Sequence, residues 1–360
     1  MAGISLCMIV KDEEAVLGRC LDSIKDAVDE IIIVDTGSSD STKEIAARYT
    51  NRIYDFEWID DFSAARNYSF SKASMDFVMW LDADDVIEDK DRAALIEFKN
   101  NIPDTADVIM MRYNTAFDEE GNPVFSYYRA RLIRRSIQFS WQGRVHEAIV
   151  HSGRTLYKEI AVTHRSVKKV YTDRNLKIYE KQKSDGIPFS PRDQFYYGRE
   201  LYYHKRYEEA LTVLEEFLNS GEGWTENNIE ACKIMSYCYT QKNEIQKALD
   251  ALTVSFRYDS PRAEICCELG NLFMKKNNYR IAAFWFETAL RIPKNETGGG
   301  FVSQDCYGYL PCIQLCVCYD RLGDRKKSEA YNQIAGKYRP SSPAYLHNLE
   351  YFKSVSSNIL

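Results

Sequence analysis

Residues 78–87 read VMWLDADDVI, four apolar residues running into Asp82, Asp84 and Asp85. A short run of β-branched and aromatic side chains without polar alternation has no solvent side. Val78 to Leu81 therefore predict a strand buried on both faces, with the three carboxylates at its carboxyl end. In an open α/β sheet, ligands bind outside the carboxyl ends of the strands, so acids there point to a site. An acid after a strand can instead cap the next helix, and that is the role expected of Asp85.

Outward from this stretch the first half alternates. Ile4 to Val10 reads as a strand, Ala15 to Ile24 as a helix with apolar residues at helical spacing, Glu30 to Val34 as a second strand, and Ser41 to Tyr49 as a helix capped from Ser38, Ser39 and Asp40. Such βαβα units build a mostly parallel sheet covered by helices. Further strands are expected at Arg52 to Tyr54, Phe77 to Leu81 and Val108 to Tyr113, with a partly antiparallel pair over Phe125 to Phe139.

The second half repeats itself. YYGRELYYHKRYEEALTVLEEFL, CKIMSYCYTQKNEIQKALDALTVSF, CELGNLFMKKNNYRIAAFWFETAL and IQLCVCYDRLGDRKKSEAYNQIA align so that Gly198, Ser236, Gly270 and Cys316 each precede Ala210, Ala248, Ala282 and Ser328 by twelve residues. Seven further on stand Phe217, Ser255, Ala289 and Ala335. Small residues in that register let paired helices approach closely, and the four segments resemble tetratricopeptide repeats. The sequence predicts an N-terminal domain over 1–185, including a connector helix around Asp173 to Lys183, and a repeat domain over 193–345, joined through DGIPFSPR. Pro261, Pro293 and Pro340 end second helices of their units, and NETGGGFVSQD (295–305) reads as an inserted loop.

The chain has 360 residues, 45% of them hydrophobic, and a net charge of −6, with no sustained basic block. That excludes a nucleic-acid binder held by phosphate neutralisation, although the runs Arg129 to Arg135 and Arg165 to Lys169 suffice to meet a small phosphorylated ligand. No apolar stretch is long enough to span a membrane and no signal peptide is evident, so ten scattered cysteines predict reduced thiols and a cytoplasmic protein.

Three polar clusters follow strand ends: VDTGSSDST (34–42), DFSAARN (61–67) and LDADD (81–85). A fourth, GRVHE, covers 143–147. In this order they resemble the family 2 glycosyltransferases, which have a GT-A fold, over residues 3–170. The resemblance implies a nucleotide-sugar donor whose diphosphate is held by a divalent cation, Mn²⁺ or Mg²⁺, for which carboxylate oxygens are natural ligands.

By that resemblance Asp84 binds the metal, Asp82 the ribose or a metal-bound water, and Ala83 lies between them in the donor site. Asp35 meets the nucleobase, or alternatively closes the TGSSD turn. Ile9, Lys11 and Glu13 line the nucleoside pocket, with Lys11-Asp12 replacing the more usual aromatic-Asn pair. Arg66 matches a donor-site arginine that pairs with a base-binding acid or with phosphate, a surface salt bridge being the alternative. Glu147, beside the wall of Trp141, is the expected general base, although many relatives carry Glu-Asp where this chain reads His-Glu. His164 in VTHRS completes the metal shell or is a core histidine.

The expected fold is an α/β GT-A domain followed by an all-α repeat domain. The expected activity is inverting transfer of a sugar from a UDP-sugar. The combined motifs and repeats resemble the sublancin-type bacterial peptide S-glycosyltransferases, which implies a peptide or protein acceptor on the repeats. Transfer to lipopolysaccharide or another surface glycan is the alternative within the class. An inactive interaction scaffold is the alternative outside it, and a homodimer is compatible with either.

Overall fold

The computed structural model describes residues 2–167 and 172–357; Lys168 and Lys169 of the second basic run lie outside the described residues. The chain divides into two units, Met1–Thr115 with Tyr127–Asp193, and Ala116–Ser126 with Gln194–Leu360.

In the first unit β1 (Ile4–Val10), α1 (Leu17–Ile24), β2 (Glu30–Asp35), α2 (Thr42–Ala46), β3 (Ile53–Asp55), α3 (Phe62–Ser71) and β4 (Phe77–Trp80) alternate as expected. The two-residue β5 (Asp85–Val86), α4 (Asp89–Asn100), β6 (Val108–Phe117), β7 (Pro123–Arg134), β8 (Phe139–Gln142), β9 (Ala148–His151), β10 (Thr155–His164) and α5 (Arg174–Ser184) follow. Eight strands form one sheet in the order β3-β2-β1-β4-β7-β6-β10-β5. β1 pairs in parallel with β2 and β4, β2 with β3, and β6 with β10; β7 is antiparallel to β4, and β5 to β10. The fold is thus an α/β sheet of GT-A type, mostly parallel, and its strand order reverses direction at β1/β4, where such sheets bind ligands.

The pleat explains why VMWL shows no polar alternation. Phe77, Met79 and Leu81 enter one core with Ile4, Leu6, Met8, Val16, Leu17, Leu21 and Leu95 under α1 and α4. Val78 and Trp80 enter a second core on the opposite face, with Cys7, Ile32, Phe70 of α3 and Trp141 of β8. β8 and β9 form a separate two-stranded sheet, so the pair expected over Phe125 to Phe139 is split between two sheets. α2 is shorter than expected. Asp40 accepts the Thr42 N–H at 3.0 Å, while Ser38 and Ser39 are drawn to Asp12 and lace the loops after β1 and β2 together.

The second unit is all-α and of tetratricopeptide type. Its helices are α6 (Pro191–Tyr203) with α7 (Tyr207–Ser220), α8 (Thr225–Gln241) with α9 (Ile245–Val254), α10 (Ala263–Lys275) with α11 (Tyr279–Arg291), and α12 (Tyr309–Arg321) with α13 (Arg325–Tyr338). A ninth helix, α14 (Pro343–Ser357), was not evident from the repeat pattern. The register is physical: a Cβ on Gly198 would lie 2.6 Å from Leu214, and one on Gly270 2.6 Å from Phe286, each in the partner helix. Ser328 Oγ donates to the Cys316 carbonyl at 2.7 Å at the equivalent contact. Seven residues after each small position the chain turns through a left-handed residue: Lys205 (φ 61), Asn243 (φ 61), Asn277 (φ 56) and Gly323 (φ 80). Asn and Gly tolerate that conformation; Lys205 does so at a cost.

Candidate active site

The short β5–β10 ladder sets Asp85 opposite His164, and the Arg165 N–H donates to the Asp84 carbonyl at 2.9 Å. His164 Nδ1 consequently lies 3.4 Å from Oδ1 of both Asp84 and Asp85. Tyr113 of β6 completes the group, its hydroxyl 3.0 Å from Asp85 Oδ1 and 3.2 Å from His164 Nδ1.

Asp85 is not a helix cap. It is fully buried, and the residue at the start of α4 is Glu88. Asp85 Oδ2 accepts the Asp82 N–H and an Nη1–H of Arg131, both at 3.1 Å, while Oδ1 accepts from Tyr113. It therefore folds the LDADD turn from the inside. Arg131 can serve it because β7 lies next to β4 and stacks the Arg131 guanidinium 3.9 Å over the Trp80 ring.

Arg66 is a buried bridge. Its Nε–H donates to Glu147 Oε1 at 2.5 Å and Nη2–H to Asp82 Oδ1 at 2.7 Å, with the guanidinium 4.9 Å over Trp80 and 4.8 Å over Trp141. The surface salt-bridge alternative for Arg66 is thereby set aside, since its side chain is only 8% exposed. α3 straps down the loop that carries Glu147: Asp61 caps the helix, the Phe62 N–H donates to the Arg144 carbonyl, and the Asn67 amide both donates to and accepts from the Trp141 backbone at 2.9 Å. Within GRVHE, Gly143 and His146 adopt positive φ, and from the other side Tyr179 and Arg192 bond the Val145 and His146 carbonyls. Trp141 is thus not a bare apolar wall beside Glu147; a cation stands between them. Glu147 Oε2 takes no hydrogen bond among the described residues.

Asp35 ends β2 and closes the turn: Oδ1 accepts the N–H groups of Gly37 and Ser38, while Oδ2 is buried with no hydrogen-bond partner among the described residues. Ile9 stands beside Val34 in the β1/β2 ladder and is half-buried; Lys11 is exposed, and the Glu13 N–H donates to Thr42 Oγ1. Ala83 turns its methyl group into the core below the sheet. The structure brings Asp82, Asp84, His164, Arg66 and Glu147 together, and sets Ile9, Lys11, Glu13 and Asp35 at the neighbouring ends of β1 and β2.

Negative charge is in excess at Asp84 and His164. Burial pushes the Asp84 carboxyl up, His164 pulls it back, and Asp82 and Asp85 add to the push. His164 is pushed up by its hydrogen bond to Asp85 against the effect of burial, with the other acids adding. Asp82 differs: burial alone would raise it, but Arg66, then Arg131 and Arg129, hold its carboxyl down to about 2. A divalent cation fits this set. Oxygen and imidazole donors 3.4 Å apart suit neighbouring positions around a six-coordinate ion with ligands at about 2.1 Å, which stand about 3 Å apart. Asp85 already spends its oxygens on Arg131, Tyr113, His164 and the turn, so Asp84 is the acid with capacity left, and His164, once it gives up its contact to Asp85, is the imidazole beside it.

Sequence reasoning missed Arg129, Arg131, Tyr113 and the place of Asp85. The one available signal was the basic run on β7.

Residues 5–160, all but a short stretch of which lie in the first unit, match the model of Glycosyl transferase family 2. The chain is 26% identical over 260 residues to the SPbeta prophage-derived glycosyltransferase SunS of Bacillus subtilis, covering 67% of this chain and 59% of that protein. It is 52% identical over 85 residues to a TPR repeat-containing protein of Synechococcus elongatus, covering 24% of this chain and 21% of that one. The chain thus spans less than two thirds of the length of these relatives. Among solved structures, glucosyl-3-phosphoglycerate synthase from Mycobacterium tuberculosis in complex with Mg²⁺ and UDP is similar at a TM-score of 0.36 and 16% identity, covering 52% of this chain and 81% of that one. Likeness of that degree leaves donor and metal to be argued from this chain's own residues. Among the described residues no helix is long and apolar enough to cross a membrane.

Proposed function

We propose that this protein moves a sugar from a UDP-sugar to a peptide or protein side chain, with inversion, using Mn²⁺ or Mg²⁺ held by Asp84 and His164. The observation that carries the reading is the pairing of charges: Asp82, Asp85 and Glu147 each have an arginine, and Asp84 with His164 is left as a metal-type donor pair at a strand's carboxyl end. A bound cation would offset the diphosphate charge that grows as the donor's glycosidic bond breaks.

The protein's own groups take the remaining roles. Asp35, with an oxygen lacking a partner, accepts the nucleobase imide N–H, and Ile9, Lys11 and Glu13 flank it. Asp82, kept ionised by Arg66, accepts from the ribose, beside the Ala83 backbone. Glu147 Oε2 takes the proton of the attacking acceptor atom while Oε1 stays on Arg66, which fixes the carboxylate's aim. The tetratricopeptide helices of the second unit supply a surface suited to an extended chain.

The test is release of UDP from UDP-glucose, UDP-GlcNAc and UDP-galactose, with Mn²⁺ and with chelator, with and without candidate peptides. Metal-dependent turnover of one donor that rises with a peptide supports the reading. No turnover and no UDP-induced thermal shift across all three donors sinks it in favour of an interaction scaffold.

A further inference from the structure

Three guanidinium groups stand around the Trp80 ring, with Arg131, Arg129 and Arg66 at 3.9, 4.7 and 4.9 Å from its centroid. Two of them are committed. Arg66 holds Glu147 and Asp82; Arg131 holds Asp85 and the Trp80 carbonyl through Nη1, and although its Nε and Nη2 have no hydrogen-bond partner among the described residues, it has no exposed surface through which to meet a ligand. Arg129 lies two residues from Arg131 on β7, hence on the same face of the sheet. Among the described residues it makes no hydrogen bond or ion pair, and its guanidinium stands over the ring of Trp80 and, at 5.8 Å, that of Tyr113.

Arg129 nevertheless belongs to this site, because the charges of Asp82 and Glu147 both act on it and, with two tyrosines, keep it cationic against the effect of burial. A cation–π contact to a ring uses none of a guanidinium's N–H groups and leaves them for another ligand. The uncommitted charges of the site are then one arginine and one metal-type pair, Asp84 with His164. A ligand that meets both carries several anionic oxygens in a row.

We propose that Arg129 binds the diphosphate oxygens of the nucleotide-sugar and stabilises the charge they gain during transfer. This rests on the donor reading given above. In the step, the acceptor atom forms its bond to the anomeric carbon and passes its proton to Glu147. The bond from that carbon to the β-phosphate oxygen breaks, and its electron pair leaves with the diphosphate, which gains one negative charge. A preorganised donor fork beside that oxygen is worth more in the transition state than in the ground state.

The experiment is calorimetric titration of uridine, UMP and UDP, each with Mn²⁺, into the full chain and into Arg129→Ala, Arg129→Met and Arg129→Lys, with UDP-sugar turnover measured alongside. The neutral variants should bind uridine as the parent does and bind UDP about 10- to 100-fold more weakly, the loss expected for a charge-assisted hydrogen bond. Arg129→Lys should fall between, since it keeps the charge and loses the fork. Two neutral variants guard against one that does not fold. Equal loss of uridine and UDP, or unchanged UDP binding, overturns the assignment; in the latter case, lower turnover alone would move Arg129 to the acceptor. A parent chain that binds neither uridine nor UDP refutes the donor reading itself, whereas parent binding with indifferent variants refutes only the role of Arg129.

Discussion

Replacing Arg66 by Met keeps the length of the side chain and removes the cation between Glu147 and Asp82. The side chains of Arg66 and Glu147 are 8% and 10% exposed, so the carboxylate left behind is buried without a counter-charge. Removing one partner of a buried pair costs about 3–5 kcal/mol. Asp82, 34% exposed, keeps the charges of Arg131 and Arg129 when Arg66 is lost, so its share of the cost should be the smaller one. Each lost cation–π contact to Trp80 and Trp141 adds about 0.5–1 kcal/mol, offset in part by the methionine's own packing. If the cost arises from the stranded charge, Glu147→Gln should relieve it. The double variant Arg66→Met/Glu147→Gln should then be more stable than the sum of the singles predicts, by about 1–3 kcal/mol. Urea unfolding of the full chain followed by near-ultraviolet circular dichroism, to which Trp80 and Trp141 in edge-to-face contact at 5.0 Å contribute, reads the transition of the first unit. Strict additivity of the two changes would refute the buried bridge, and with it the claim that Arg66 aims Glu147.

Asp84→Ala should abolish Mn²⁺-dependent UDP release and leave the melting temperature little changed, because the Asp84 side chain is partly exposed and the backbone bond from Arg165 that ties this turn to the end of β10 is kept; retained activity would remove it from the metal site. Gly270→Ala should destabilise the repeats by about 1–3 kcal/mol in thermal unfolding, since its Cβ would meet the Phe286 ring at 2.6 Å. Lys205→Asn should stabilise them by about 0.5–1 kcal/mol in the same assay, by relieving a left-handed lysine. Glu264 accepts from the Ser303 N–H and the Tyr307 hydroxyl, and burial raises its carboxyl above the ordinary 4.5. Its protonated form is therefore favoured by folding: that contribution is full below pH 4.5 and is lost as pH rises through the raised value. Glu264→Gln should flatten that decline in melting temperature, and an unchanged pH profile would contradict it.

The repeats were legible because their determinants are local. A small residue, a turn seven positions on and a second small residue after twelve recur within single helix pairs, and each marks a backbone approach that a larger side chain would block. The α/β half was legible for a related reason: Phe77 to Leu81 feed two cores by strict alternation, and a strand buried on both faces has only one reading. What failed was structure set at a distance. Nothing near Phe139 says that it pairs with His151 in a sheet of its own, or that β7 will lie against β4.

The same limit explains Asp84 and Asp85, neighbours of one residue type with opposite duties. Local sequence offers a helix start, so Asp85 reads as a cap. What decides otherwise is a ladder of two residue pairs that sets Asp85 against His164, 79 positions later, and an arginine from β7 that arrives through the sheet order. Once Asp85 is consumed inside the turn, Asp84 is the acid that remains available beside His164. The basic run on β7 divides likewise: Arg131 goes to Asp85, and Arg129 makes no hydrogen bond among the described residues. Composition announced a cluster of acids and a cluster of arginines, but pairing across the sheet selects which member of each is left over to meet a ligand. A substitution that moved the pairing, such as Tyr113→Phe loosening Asp85 and His164 together, should therefore weaken Mn²⁺ binding although Tyr113 is not among the proposed ligands. Calorimetric Mn²⁺ titration would show it, and unchanged affinity would mean that Asp84 and His164 are held without help from β6.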